Sequence, residues 1–128
     1  MAAAVKSEMF EKLDGLAPFE QVMSLHDDRT AFFKEFHNYM QGGLVLSTPE
    51  LFLMMKPVDS SKDPSGQWWV KKPDAWYCRW AAGRGALKAM FNQVTPMPKL
   101  MFRRLTPSGT SKLRTYSWDR IFRKVNNG

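Results

Sequence analysis

The chain of 128 residues has one cysteine, two histidines and no uninterrupted apolar run long enough to span a bilayer. A single thiol, Cys78, excludes an intrachain disulfide framework and a multi-cysteine zinc site, and it suits a reducing compartment. His26 and His37 lie eleven residues apart without a cysteine partner, so a metal centre would need Asp27 or Asp28 and a distant ligand. Both histidines read more simply as helix-surface residues, and no metal is expected. Leu44 to Met55 is the most apolar window, but Ser47, Thr48, Pro49 and Glu50 interrupt it well short of the roughly 18–20 apolar residues a membrane helix needs. Met1 to Lys6 has no apolar core of secretory-signal length, so no membrane partner and no export by a signal peptide are expected. No Walker A loop, nucleophile elbow, HExxH motif or fixed-period repeat is present. What remains is one domain spanning 1–128, held together by packing.

Charge is distributed unevenly along that domain. Residues 1–50 carry 4 Lys/Arg against 8 Asp/Glu, a net of −4, whereas residues 51–128 carry 15 against 4, a net of +11. The basic half either faces a polyanion or an acidic partner, or is neutralised by the acidic part within the molecule or between subunits. The chain thus divides into a helical acidic part, 1–42, and a basic sheet-rich part, 43–128.

Local patterns predict the elements. Ser7 caps a short helix carrying Met9, Phe10 and Leu13 that ends at Gly15, and Pro18 suits the first turn of the next helix. Asp27 or Asp28 opens a longer helix in which Phe32, Phe33, Phe36, Tyr39 and Met40 follow helical spacing, stopped by Gly42 and Gly43. Strands follow at Leu44–Ser47 and Leu51–Lys56, then a mobile polar loop over Val58–Gln67. Trp68–Lys71 and Ala75–Ala81 read as aromatic-rich strands and Ala86–Gln93 as a helix closed by Pro96 and Pro98. Lys99–Leu105 and Lys112–Ser117 form a hairpin, and Trp118–Val125 a terminal basic turn or helix. This order predicts an α+β fold, N-terminal helices packed on a mostly antiparallel sheet. Trp68 and Trp69 would then point to opposite faces, at least one partly exposed, and Cys78 would be inert inside its strand.

In Trp76-Tyr77-Cys78-Arg79-Trp80-Ala81-Ala82-Gly83-Arg84-Gly85-Ala86 an apolar strand runs through a Gly-x-Gly turn into a helix. Free backbone N–H groups, the helix dipole and Arg84 together suit a phosphate or pyrophosphate; the same glycines also suffice for a plain strand-to-helix turn. This stretch and the element order over residues 27–125 resemble the GCN5-related N-acetyltransferase fold, including the small, often degenerate acetyltransferase-like proteins of tailed phages. The resemblance implies an acetyltransferase-like architecture in which Arg79, Gly83, Arg84 and Gly85 hold the pyrophosphate of acetyl-CoA. Trp80 stands where that family has Gln or Arg. For catalysis the resemblance implies a proton donor, Tyr116, and a base, for which Glu50 and Asp59 are the candidates; both also read as plain surface carboxylates.

The C-terminal segment forms a second constellation. Period-two alternation puts Lys112, Arg114, Tyr116 and Trp118 on one face, with Arg103, Arg104, Arg120, Arg123 and Lys124 close in sequence. Such a face suits phosphate contact with base stacking, or a protein partner; alternatively its aromatics belong to the core beneath a solvated basic surface. Three functions follow from these patterns. The leading one is a small basic binding or assembly protein, a phage virion component of degenerate acetyltransferase-like fold that docks on proteins or nucleic acid, with a protein partner or oligomer and no cofactor. The others are an active N-acetyltransferase using acetyl-CoA and a dedicated nucleic-acid binder. The corresponding location is cytoplasm or virion.

Overall fold

The computed structural model describes residues 17–103, 105–106, 109–110 and 112–127. The expected helix at Ser7–Gly15 lies outside them, as does Arg104. Helix α1 spans Pro18–Ser24, with Pro18 in its first turn, where an N–H would have no intrahelical partner. Helix α2, Arg29–Gly42, starts at Asp28, whose carboxylate accepts from the Ala31 N–H at 3.0 Å. Together they cover one face of the sheet, where Val22, Phe32 and Tyr39 pack on Phe52 and Met54. The five apolar residues at helical spacing on α2 separate: Phe32 and Tyr39 are buried, while Phe33 and Met40 are exposed. The face touching the sheet is narrower than the apolar spacing suggested.

The sheet has strands β1 (Leu44–Ser47), β2 (Leu51–Val58), β3 (Ala75–Gly83), β4 (Lys99–Phe102) and β7 (Arg114–Ser117), side by side in that order. A small ribbon of β5 (Leu105–Thr106) and β6 (Gly109–Thr110) sits between β4 and β7 in sequence. β1, β2 and β3 form an antiparallel meander, and β7 is antiparallel to β4. One pairing differs: β3 and β4 are parallel, joined across helix α3 (Ala86–Gln93). The α+β class and the mostly antiparallel sheet therefore hold. Helix α4, Trp118–Asn127, follows β7 directly and packs with α3 on the opposite face, over Leu53, Met55, Cys78 and Leu100. β2 is covered on both sides, so every residue from Phe52 to Lys56 is buried.

Trp68–Lys71 is not a strand, contrary to the pattern reading. Trp69 has φ +55, a left-handed backbone incompatible with a pleat, and the Trp68 ring lies under the Lys56 ammonium, 3.7 Å from its centroid. The preceding segment is irregular apart from a 3-10 turn at Pro64–Gly66, and hydrogen bonds hold it in place. The Gln67 side chain accepts from the Asp59 N–H at 2.7 Å and donates to the Asp59 carbonyl at 2.8 Å. Asp74 accepts from the Ser60 N–H at 2.7 Å.

Candidate functional site

The parallel pair β3/β4 is short. Its register runs from Ala75 opposite Lys99 to Cys78 opposite Phe102, after which β4 ends and β3 continues to Gly83 paired with β2 only. The strands part at their C-terminal ends, and a cleft of about 670 Å³ opens there. Ala81 and Gly83 line it from β3, Phe102 and Arg103 from the end of β4, Gly85 to Lys88 from the start of α3, and Val125 from α4.

Two glycines shape its rim. Gly83 has φ +95, and a Cβ there would lie 2.2 Å from the Glu50 carbonyl oxygen, so its bare backbone lets β3 close on the β1–β2 turn. Gly85 has φ +75 and open space around it, and it caps α3 without any side-chain hydrogen bond. The first N–H groups of α3 have no side chain capping them and lie at the positive end of the helix dipole, and Gly85 to Lys88, which carry them, line the cleft. Lys88 and Arg103 line the cleft, and Arg84 is exposed at the turn between the glycines. Among the described lining residues there is no carboxylate and no histidine. The charged side chains of the described lining, Lys88 and Arg103, are both positive, and most of the rest is apolar. Burial pushes the Cys78 thiol up to about 12, so it is no nucleophile.

The other expected cofactor residue is elsewhere. The β2/β3 register shifts between Met54 and Met55, leaving Arg79 as the extra residue of a bulge on β3. Its Nε donates to Glu35 of α2 at 2.7 Å, on the face opposite the cleft. Trp80 packs on that face too, against the α1–α2 layer. Arg79 therefore does not join Gly83, Arg84 and Gly85, because an acidic partner 44 positions earlier in the chain claims it. Lys88 replaces it as a cleft cation; its place three residues after Gly85, in the first turn of α3, is the sequence signal that marks it.

Tyr116 lies opposite Leu100 on β7, half-buried, its ring stacked on that of Phe102 with centroids 5.1 Å apart. It stands behind the cleft wall rather than in it. Of the candidate bases, Glu50 is at the cleft end of β2, whereas Asp59 follows Val58 at the opposite end, about 25 Å away for a strand of this length. Hydrogen bonds from Ser61 hold the Asp59 carboxyl below its ordinary range.

The C-terminal constellation splits. Trp118 is in the core, 4.6 Å from Phe91 in an edge-to-face pair, and cannot meet a partner. It starts α4 and does not continue the β7 alternation. Trp118, Ile121 and Val125 point inward, while Arg120, Arg123 and Lys124 are exposed. Arg114 is exposed on the edge strand, and Arg103 and Lys112 are exposed as well. Among the described residues the one ion pair joining the acidic first half to the basic second half is Arg79–Glu35; Lys99–Asp74, at 3.9 Å, lies within the second half. Among the described residues no ion pair cancels the cations of α4. His37 is exposed as expected, whereas His26 packs against Phe32 and Trp80, and burial lowers its pKa. No metal-binding group of acids, histidines or cysteines occurs among the described residues, and no described helix is long and apolar enough to cross a membrane.

Lys56 is a feature that no sequence pattern marks. Its ammonium is buried on β2, donates to the Gln67 carbonyl at 2.8 Å and lies over the rings of Trp68, Tyr39 and Tyr77. Those rings come from three separate segments. Burial pulls its pKa down to about 8.

Comparison with family models, curated proteins and solved structures finds no match to this chain.

Proposed function

We propose that the protein is a small basic binding and assembly component on an acetyltransferase-like scaffold, resembling the acetyltransferase-like proteins encoded by tailed phages. It docks on an anionic partner in a virion, nucleic acid or an acidic protein surface, through the outer face of α4 and the β7 edge. One observation carries this reading: Arg114, Arg120, Arg123 and Lys124 are exposed together on contiguous elements, with no carboxylate of the acidic half paired to them among the described residues. Arginines presented this way displace counterions from a polyanion, so affinity falls steeply with salt. For about four phosphate contacts, raising salt from 50 to 200 mM weakens duplex DNA binding on the order of 100-fold. The triple variant Arg120→Glu, Arg123→Glu, Lys124→Glu is expected to bind a labelled duplex at least tenfold more weakly, with a shallower salt slope. Equal affinity and slope in the two chains would remove α4 from the docking surface.

A second reading concerns the cleft: it accepts acetyl-CoA. What supports it is the parting of β3 and β4 at the start of α3, which no side chain caps, with Lys88 and Arg103 in the lining and Arg84 exposed at the adjoining turn. Pyrophosphate would meet the N–H groups at Gly85 to Lys88, as the glycine turn suggests. Transfer to an amine further requires a base for the amine and a proton for the leaving thiolate. Tyr116, the donor this reading needs, stands behind the cleft wall, and the described cleft lining offers no carboxylate or histidine as base, which favours binding over turnover. Acetyl-CoA at about 100 times its Kd should stabilise the fold by about 2.7 kcal/mol, seen as a rise in Tm. Gly85→Asp, which places a carboxylate at the anion position in open space, should abolish the rise. No rise in the parent chain at millimolar ligand would end this reading.

A further inference from the structure

We propose that a pocket on the α2 side of the sheet is a second ligand site, and that it takes the zwitterion of an aromatic α-amino acid. The pocket holds about 390 Å³, toward the small end of the range of ligand cavities, and four separate segments build it. Glu35 and Tyr39 come from α2, Asp63 and Trp68 from the segment after β2, Tyr77 and Arg79 from β3, and Arg103 from the end of β4. The cleft at α3 lies across the sheet, and the proposal rests on neither reading above; Arg103, at the strand end, borders both sites.

The charges of the lining select the ligand. Both signs are present in equal number, Glu35 and Asp63 against Arg79 and Arg103. Glu35 and Arg79 are already joined at 2.7 Å. Asp63 and Arg103 are both exposed and no ion pair joins them. They are nonetheless close enough to interact: hydrogen bonds from Ser65 hold the Asp63 carboxyl below its ordinary range, and the Arg103 charge adds to this. A ligand with its ammonium on Asp63 and its carboxylate on Arg103 bridges the two. An anion or a cation alone would satisfy one of them and lie near the like charge of the other. Tyr39, Trp68 and Tyr77 supply three rings to the same lining, Tyr39 and Trp68 meeting edge-to-face at 5.2 Å. The Lys56 ammonium, bound to the Gln67 carbonyl, already sits over these rings. Its charge keeps a ligand ammonium off them and leaves them to a planar apolar side chain.

Three probes that share one ring separate the charges: L-phenylalanine, 3-phenylpropionate, which lacks the ammonium, and phenethylamine, which lacks the carboxylate. Each is titrated into the full-length chain by calorimetry at pH 7. L-phenylalanine is expected to bind at least tenfold more tightly than either analogue. Asp63→Asn should erase its advantage over 3-phenylpropionate and keep that over phenethylamine, and Arg103→Gln should do the reverse. Both side chains are exposed, and asparagine can still accept from the Ser65 N–H, so the fold is retained. Gly85→Asp, at the cleft, should leave L-phenylalanine binding unchanged. No binding of L-phenylalanine at millimolar concentration, equal affinity for the three probes, or a ranking indifferent to both substitutions would each overturn the proposal. So would loss of binding in Gly85→Asp alone, which would place the amino acid in the cleft.

Discussion

Gly83→Ala should lower the melting temperature by about 15 °C, the consequence of a loss on the order of 3–5 kcal/mol. A methyl group at this position would stand 2.2 Å from the Glu50 carbonyl oxygen and 2.8 Å from the Leu51 Cα, both backbone atoms, so β2 or β3 has to move. The φ of +95 adds a second penalty that any L side chain incurs. The two strands pair here, Leu51 opposite Gly83, so the movement disturbs the central ladder of the sheet. Gly85→Asp is the contrasting case. It meets no atom within 4 Å, aspartate tolerates the left-handed backbone better than most residues, and its charge suits a helix N-terminus. Its Tm should stay within a few degrees of the parent. Thermal unfolding of both variants checks the contrast; a Gly83→Ala chain as stable as the parent would mean that β3 does not close on the β1–β2 turn. Gly85 is accordingly the position at which ligand binding can be tested without unfolding the chain.

Lys56→Met should change the pH dependence of stability by roughly 2–3 kcal/mol between pH 8 and 10.5. The pKa of Lys56 is about 8 in the native state against an ordinary 10.5, because burial disfavours the ammonium. Between those values the unfolded chain holds a proton that the native chain has released. The unfolded state thus binds more protons, and this group makes stability rise with pH; below pH 8 the cost of burying the charge is present in full. The Trp68 ring, 3.7 Å from the ammonium, offsets part of that cost. Tyr39, Tyr77 and Cys78 act in the opposite direction, since burial raises their pKa values and the native state keeps protons that the unfolded chain loses. Subtracting the Lys56→Met curve from the parent's cancels those shared groups and isolates the lysine. Urea unfolding at intervals from pH 7 to 10.5 measures it, and a difference that stays flat would place the ammonium in water rather than among the rings.

Much of the framework is legible from local chemistry. The span of α3 matched the pattern at both ends, because the glycine turn before Ala86 and the prolines beyond Val94 act over a few residues. β1 matched, and β2 and β3 were each recognised but extend two residues further than expected. The candidate cleft was half legible: Gly83, Arg84 and Gly85 stand at its rim, but Arg79 was drawn away by Glu35 and Lys88 was missed. Trp118 shows why alternation fails at an element boundary. Counted along β7 it shares a face with Arg114; as the first residue of α4 it turns onto Phe91.

Composition and order alone determined the α+β succession and the displacement of positive charge toward the later half, because each depends on residues near one another along the chain. Which cations are cancelled, where two parallel strands part, and which aromatic closes over Lys56 were decided only when distant segments met. A side chain's partner in space is chosen by the packing of whole layers, and neighbouring residues carry no record of it.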